Sequence, residues 1–399
     1  MRRYFLKKFD LNFTICLFSL TFFPEFIFVN FHQTSNAMGL FIASIIILFL
    51  NYNYLIKLKV HLRYFLFALI VFLYLLFESA RSYIFLNESK PIFSLFVLSL
   101  IAFSAFVLSR RIITLNFFEI SNSFLVIIIY LLIIGWIKFL KPSFFFMLFS
   151  ENSHYILTLG IFSVAYALIS KKIPLFLMFI NFVIFSIFLP SLESLVFAFL
   201  ILFSGLLRLK VRYLLILFLI SLLLLPTLTS LILNFNYFKS RLNFDTKSNV
   251  TTLVFIQGWK LAYINLIDTN FLGLGFQMLG LPGTHYPQKI TNDIVKATDG
   301  IILNKEDGGF IDSKLIAELG FIGIIITIIY INFLIKFIIK VNRLSGRNIS
   351  NYEKYNYIKK QIMLNGIIFG FLVEFFFRGI GYFSTGVYLV LAVLFALYW

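Results

Sequence analysis

IPLFLMFINFVIFSIFLPSLESLVFAFLILFSGLL, residues 173–207, is thirty-five residues of nearly unbroken apolar sequence, interrupted at Pro190, Ser191 and Glu193. A helix that crosses a bilayer needs about 20 mostly apolar residues. The run is too long for one crossing and long enough for two. Proline cannot continue a helix without losing a backbone hydrogen bond. Residues 173–189 and 191–207 therefore read as two membrane spans joined by a tight hairpin at Pro190.

Working outward, the same pattern recurs along the chain. Twelve candidate spans lie near 11–30, 37–56, 61–78, 91–109, 121–140, 154–170, 173–189, 191–207, 213–233, 314–339, 360–378 and 382–399. Composition agrees: 61% of the 399 residues are hydrophobic and 13% are charged. A soluble domain carries about a quarter charged residues. This much apolar surface cannot hide inside one globule, so the bilayer must solvate it. The fold expected is an all-α polytopic integral membrane protein with about twelve transmembrane helices and one large periplasmic loop. Three regions form one integral unit: spans one to nine over 1–233, the loop over 234–313, and spans ten to twelve over 314–399.

The formal net charge of +17 is distributed as membrane topology requires. With a cytoplasmic N-terminus, the inner segments hold Arg2, Arg3, Lys7 and Lys8; Lys57, Lys59 and Arg63; Arg110 and Arg111; Lys171 and Lys172; Arg208, Lys210 and Arg212. The last inner loop holds Lys340, Arg343, Arg347, Lys354, Lys359 and Lys360. The short outer segments carry Arg81, Lys90, Lys138, Lys141 and Arg378. This alternation follows the positive-inside rule and puts both termini in the cytoplasm. No long basic segment exists outside the short loops, which argues against nucleic acid as a partner. The basic N-terminus resembles the start of a signal peptide, but no small-residue cleavage site follows and further apolar segments do. It reads as an uncleaved first anchor.

Residues 234–313 break the pattern. They are polar, rich in Gly, Pro, Asn and Asp clusters, and near neutral, with seven Lys or Arg against seven Asp or Glu. A structureless loop of this length is unusual unless it is functional. Within it, TTLVFIQGWKLAYINLID (251–268) has helical apolar spacing and suits a helix along the membrane surface.

Ionisable groups in or beside apolar spans are costly, and each has two readings. Glu374 and Arg378 stand four apart and share a helix face. They form a structural ion pair, or Arg378 faces an anionic substrate with Glu374 orienting it. Glu78 and Arg81, three apart at the outer end of the third span, have the same two readings. Glu25, after Pro24, marks the interface at the outer end of the first span. In FSENSHY (149–155), Glu151 and His154 are three apart at a helix start. Ser150 or Ser153 can cap that start, with Glu151 at the positive end of the helix dipole. Alternatively, carboxylate and imidazole serve as a general base. In the long loop Arg241, His285, Asp299, Glu306, Asp307 and Asp312 are candidates, although Asp307 and Asp312 also suit a solvated loop. KEDGGF (305–310) fits a glycine turn. GLGFQMLG (273–280) lacks the strand–helix setting of a nucleotide fingerprint and the Lys of a P-loop, so a nucleotide is excluded. The single cysteine, Cys16, and four histidines leave no zinc-like spacing and no intramolecular disulfide.

Four segments carry a resemblance to the O-antigen polymerase (Wzy) family, within the superfamily that includes the O-antigen ligases. FSENSHYILTLG (149–160) is similar to a family pattern of Phe-Ser-Glu-x-Ser-His running into a helix, with Asn152 where the family has Pro. GWKLAYINLIDTNFLGLGFQMLG (258–280) resembles the family's loop helix and Gly-x-Gly-Phe turn. DGGFIDSKLIAELGFIGIII (307–326) resembles its Asp-Gly, Glu-Leu-Gly, Gly exit from the loop, and FFRGIGYFSTG (376–386) adds a fourth match. The family's periplasmic Arg followed by Gly about fifteen residues on is matched loosely by Arg241 and Gly258.

The resemblance implies a metal-independent glycosyltransferase of the bacterial inner membrane with no cofactor. It would polymerise undecaprenyl-diphosphate-linked oligosaccharide repeat units on the periplasmic face, in lipopolysaccharide biosynthesis. It also implies a chain-length regulator as a partner. Arg378, Arg241 and Arg81 would bind the diphosphate, because guanidinium forks match phosphate oxygens. Glu151 or His154 would position or deprotonate the acceptor, with Glu374, Asp307 and His285 in support. The rivals are an O-antigen ligase, which would make His285 the residue to watch, and a flippase for lipid-linked oligosaccharide. A flippase leaves the long loop unexplained, and no related halves or midplane ionisable site point to transport.

Overall fold

The computed structural model describes residues 10–31, 36–56, 62–86, 89–189, 191–207, 250–279, 311–345, 352–377 and 381–398. All regular structure among them is helical. The helices are α1 (Leu11–Asn30), α2 (Ala37–Leu50), α3 (Tyr52–Ile56), α4 (Leu62–Leu86), α5 (Lys90–Thr114), α6 (Phe117–Leu140), α7 (Pro142–Leu148) and α8 (Asn152–Ala167). They continue with α9 (Lys172–Phe188), α10 (Leu192–Leu206), α11 (Val250–Asp268), α12 (Ile311–Leu319), α13 (Phe321–Ser345), α14 (Tyr352–Gly370), α15 (Leu372–Phe376) and α16 (Thr385–Tyr398). By length and composition, four stretches among the described residues can cross a membrane: α1, α5, α6 and residues 321–344 of α13. The outer surface is strongly apolar, with Leu140 83%, Phe49 81% and Ile84 76% exposed. Such a surface needs lipid around it.

The 173–207 run forms two helices, α9 and α10, which pack on each other. Three sequence boundaries are corrected. The 37–56 segment is two helices, because Asn51 leaves the helix after α2 and takes a hydrogen bond from Arg111 Nη1 at 3.1 Å. The 314–339 segment is split at Gly320, which adopts φ +55°, so the long apolar helix begins at Phe321. The 61–78 segment continues to Leu86, which places Glu78 and Arg81 within a helix rather than at its end. The 213–233 span lies outside the described residues.

Helix α8 is the hub. It packs on α6, α9, α10, α14 and α16 and is buried along most of its length. Small residues permit the closest approaches. A Cβ at Gly366 would meet Ala165 Cα at 2.8 Å, and one at Gly370 would meet Ile161 Cα at 3.1 Å, so α14 lies directly against α8. A Cβ at Gly135 would overlap the Tyr155 hydroxyl, which instead donates to Leu131 O at 2.8 Å.

At the end of the bundle marked by Asp10, one ion pair ties three helices. Asp10 caps α1 by accepting from Phe13 N at 2.7 Å. It also takes two bonds from Arg111 Nη2 (2.7 and 2.8 Å) and one from Nε (3.0 Å). Arg111 belongs to α5, and its bond to Asn51 brings in the end of α2. A guanidinium fork on a carboxylate is the strongest form of this contact.

Candidate functional site

The site begins with a proline. Pro24 lies inside α1 and has no N–H to give to Leu20 O, four residues back. Thr385, at the start of α16, fills that vacancy: its hydroxyl donates to Leu20 O at 2.7 Å. The next residue is Glu25, 3% exposed within an otherwise apolar helix. A buried carboxylate is costly unless hydrogen bonds replace its water, and here they do. A Cβ at Gly39 would overlap Phe23 O, so the start of α2 lies against the Pro24 turn and delivers Asn36. Asn36 Nδ2 donates to Glu25 Oε1 at 2.7 Å.

The other carboxylate oxygen faces the segment before α8. Ser150 Oγ donates to Glu25 Oε2 at 2.9 Å, and the Ser150 amide approaches it at 3.4 Å. His154 Nδ1 lies 3.1 Å from the same carboxylate and 2.9 Å from Ser150 Oγ. Both partners of Nδ1 accept hydrogen bonds, so the ring carries its proton there. Neutral imidazole then holds its lone pair on Nε2. A carboxylate that fixes an imidazole tautomer from behind is the geometry of a general base and its orienting group.

A second carboxyl closes the cluster. Glu374 in α15 is 1% exposed, accepts from the Ser384 hydroxyl, and lies within electrostatic reach of His154 and Glu25. Its Oε1 has no hydrogen-bond partner among the described residues. Gly386 makes room for it, because a Cβ there would overlap Glu374 Oε2. Thus α1, the start of α2, the start of α8, α15 and the start of α16 meet at one largely buried polar cluster.

Beside it sits a second assembly built on the glycine turn after α11. Gly273 (φ +81°) and Gly275 (φ +112°) turn the chain against the end of α12. Leu274 N donates to Ala317 O at 3.0 Å, Gly275 N to Glu318 O at 2.8 Å, and Phe321 N to Phe271 O at 2.8 Å. Glu318, fully buried, accepts from Gln277 N at 3.1 Å and Leu279 N at 3.2 Å and faces Lys314 Nζ at 4.0 Å. Burial pushes its carboxyl up, against the pull of Lys314. Lys314 Nζ also lies 5.1 Å above the Tyr382 ring, which stacks on Phe276 at 5.7 Å. Asp312, 1% exposed, is pushed up by burial to about 6. Because α12 packs on α15, this assembly adjoins the helix that carries Glu374.

Several expectations change against this geometry. Glu151 does not pair with His154; the carboxylate that does is Glu25, 129 residues away. Glu151 is exposed, stands at the N-cap position of α8 without capping it, and accepts from Ser153 Oγ at 2.9 Å. Neither serine caps the helix, because Ser150 is held by Glu25 and Ser153 by Glu151. Asn152, in the place of the family's Pro, accepts a bond from Lys138 Nζ. Arg81 Nη2 bonds Glu78 at 2.6 Å and Gly273 O at 2.9 Å, which ties α4 to the glycine turn. Asp312 is buried, not solvated. Arg378, Arg241, His285 and Asp307 lie outside the described residues, as do Asp299 and Glu306. Among the described residues no group of His, Cys, Asp and Glu suits a metal ion.

Sequence reading gave Glu25 only as an interface marker and Ser150 only as a cap, not as a donor to Glu25; it passed over Asn36, Ser384 and Glu318. A signal existed for Glu25: a carboxylate next to a proline inside an apolar span is too costly to be incidental. None existed for the others, whose partners are distant in sequence.

Comparison of the chain with known protein families, with characterised proteins and with solved structures gives no match.

Proposed function

We propose that this chain is a multi-pass inner-membrane glycosyltransferase that polymerises lipid-diphosphate-linked oligosaccharides on its outer face, as the resemblance to O-antigen polymerases implies. The observation that carries the proposal is the Glu25–His154 pair, half-buried and shared with Ser150, with Glu374 beside it. The charge alternation assigns the Glu25, His154 and Glu374 segments to the same outer membrane face, and in the fold they meet. Twelve spans, cytoplasmic termini and a large periplasmic loop belong to the same proposal.

The chemistry follows from the parts. A hydroxyl of the acceptor sugar meets His154 Nε2, which takes its proton. Glu25 holds Nδ1–H and stabilises the imidazolium that forms. The hydroxyl oxygen bonds to the donor's anomeric carbon as the bond to the diphosphate breaks, and undecaprenyl diphosphate departs. Its charge needs cationic donors, a role given to Arg378, Arg241 and Arg81. Glu374 accepts hydroxyls of the sugar or orients Arg378. Glu151 lies outside the pocket and has no role in the step. No metal or cofactor enters the scheme.

The test is His154→Ala in the native host, with membrane abundance checked and surface lipopolysaccharide resolved on a gel. Collapse of the ladder to a single repeat unit on core supports a polymerase. Complete loss of repeat units from core would mark a ligase instead, and an unchanged ladder would overturn the assignment.

A further inference from the structure

A groove of about 1090 Å³ opens at the opposite end of α8 from His154, between α9, α10, α13 and α14. From His154 to Leu168 the chain advances fourteen residues, about 21 Å at the helical rise of ~1.5 Å per residue. The groove is therefore separate from the pocket of Glu25 and His154. Its volume reaches the upper end of the ~300–1,000 Å³ that ligand sites occupy. The floor and walls are aliphatic and aromatic, among them Phe176, Leu202 and Ile362.

The mouth differs from the walls. Lys171, Lys172 and Lys359 all line it, and among the described residues no carboxylate does. Lys171 and Lys172 are exposed. Lys359 Nζ is held over the Tyr355 ring at 4.4 Å and the Phe117 ring at 5.6 Å, so its ammonium is fixed near the rim. A neighbouring hollow of about 440 Å³ shares Leu344 and adds Lys336, Lys340 and Arg343. Apolar walls below a cluster of cationic groups, with no carboxylate among the described lining residues, match one ligand chemistry: a hydrocarbon tail with an anionic head.

We infer that this groove binds an anionic phospholipid, its phosphate at Lys171, Lys172 and Lys359 and one acyl chain along Leu202 and Phe176. Basic pockets between membrane helices hold anionic head groups in this way. The lipid closes the gap between the α9–α10 hairpin and α13–α14 from the end away from the proposed chemistry.

The test uses the full chain reconstituted in phosphatidylcholine vesicles containing a few per cent phosphatidylglycerol with a diazirine on one acyl chain. Irradiation followed by peptide mapping is expected to label residues 202–206 and 358–362. The Lys171→Gln/Lys172→Gln/Lys359→Gln variant is expected to lose at least about tenfold of that label, since each amine near an anionic head contributes about a factor of five. Leu202→Trp fills the apolar part and should lower labelling while leaving all three amines. Excess glycerol phosphate should compete weakly, because it lacks the tail. Equal labelling by a phosphatidylcholine diazirine, or unchanged labelling in the lysine variant, would overturn the inference. So would full displacement by glycerol phosphate, which would mark a phosphate site without lipid. None of these readouts depends on polymer synthesis, so the outcome is independent of the proposed function.

Discussion

Glu25→Gln separates what the buried carboxylate does for the fold from what it does for the reaction. In the native pocket Glu25 accepts from Asn36 at 2.7 Å, Ser150 Oγ at 2.9 Å and His154 Nδ1 at 3.1 Å. Glutamine keeps the shape and one acceptor oxygen. If that oxygen stays toward Ser150 and His154, the new NH2 meets Asn36, which can turn its amide to accept. The hydrogen-bond count is then nearly preserved, and the stability cost is about 1.5–3 kcal/mol, the range for hydrogen bonds to charged groups. Glu25→Ala, by contrast, strands three buried donors and costs about 3–5 kcal/mol. The single amide oxygen of glutamine lacks the charge that stabilises a histidinium at 3.1 Å. Loss of general-base assistance lowers turnover by about 10²–10⁴. The assay is polymer formation by purified protein in vesicles with lipid-linked repeat units, alongside thermal denaturation in detergent. The expected result is a small melting shift with at least a hundredfold loss of rate. Wild-type turnover in folded Glu25→Gln would refute the role of the pair. Equal losses of stability and rate would show that the cluster only holds the helices together.

Other positions test the surrounding structure. Thr385→Val removes the hydroxyl that serves Leu20 O beside Pro24, and should cost about 1–3 kcal/mol in the same denaturation measurement. Gly320→Ala forces a side chain at φ +55° into Phe271 O; it should destabilise by more than about 1 kcal/mol and free the glycine turn to proteolysis near 269–279. Asp312 has its carboxyl raised from 3.8 to about 6 by burial, so the folded state binds that proton more tightly than the unfolded state does. Its contribution is fully present below pH 3.8 and is lost as pH rises through about 6. Asp312→Asn should therefore flatten the fall in stability between pH 4 and 6 and melt higher than wild type at pH 7.5. An unchanged pH profile would count against the buried carboxyl.

Much of the helical layout was legible because it rests on local properties. Apolar run length is a sum over neighbouring residues, and Pro190 marks its break without reference to anything distant. The 251–268 helix was visible in the same way, as was the helix start at Asn152. The breaks at Asn51 and Gly320 were not, because each is stabilised by a partner elsewhere: Arg111 for the first, the turn at Phe271 for the second. Spacing alone suggested that Glu151 and His154 act together, since three residues is one helical turn. That inference failed because Glu25 outcompetes a neighbour whose side chain turns to Ser153 and solvent.

The sequence by itself determined that the chain is helical and needs lipid, since 61% apolar residues leave no way to bury the surface in water. It also marked FSENSH and GLGF as places of interest. The tertiary structure alone decided which groups share a pocket. Burial of a carboxylate requires donors from every side, and no single helix can provide them. Glu25, Asn36, Ser150, His154 and Glu374 come from segments up to 349 positions apart, and only packing brings them within hydrogen-bond or electrostatic reach.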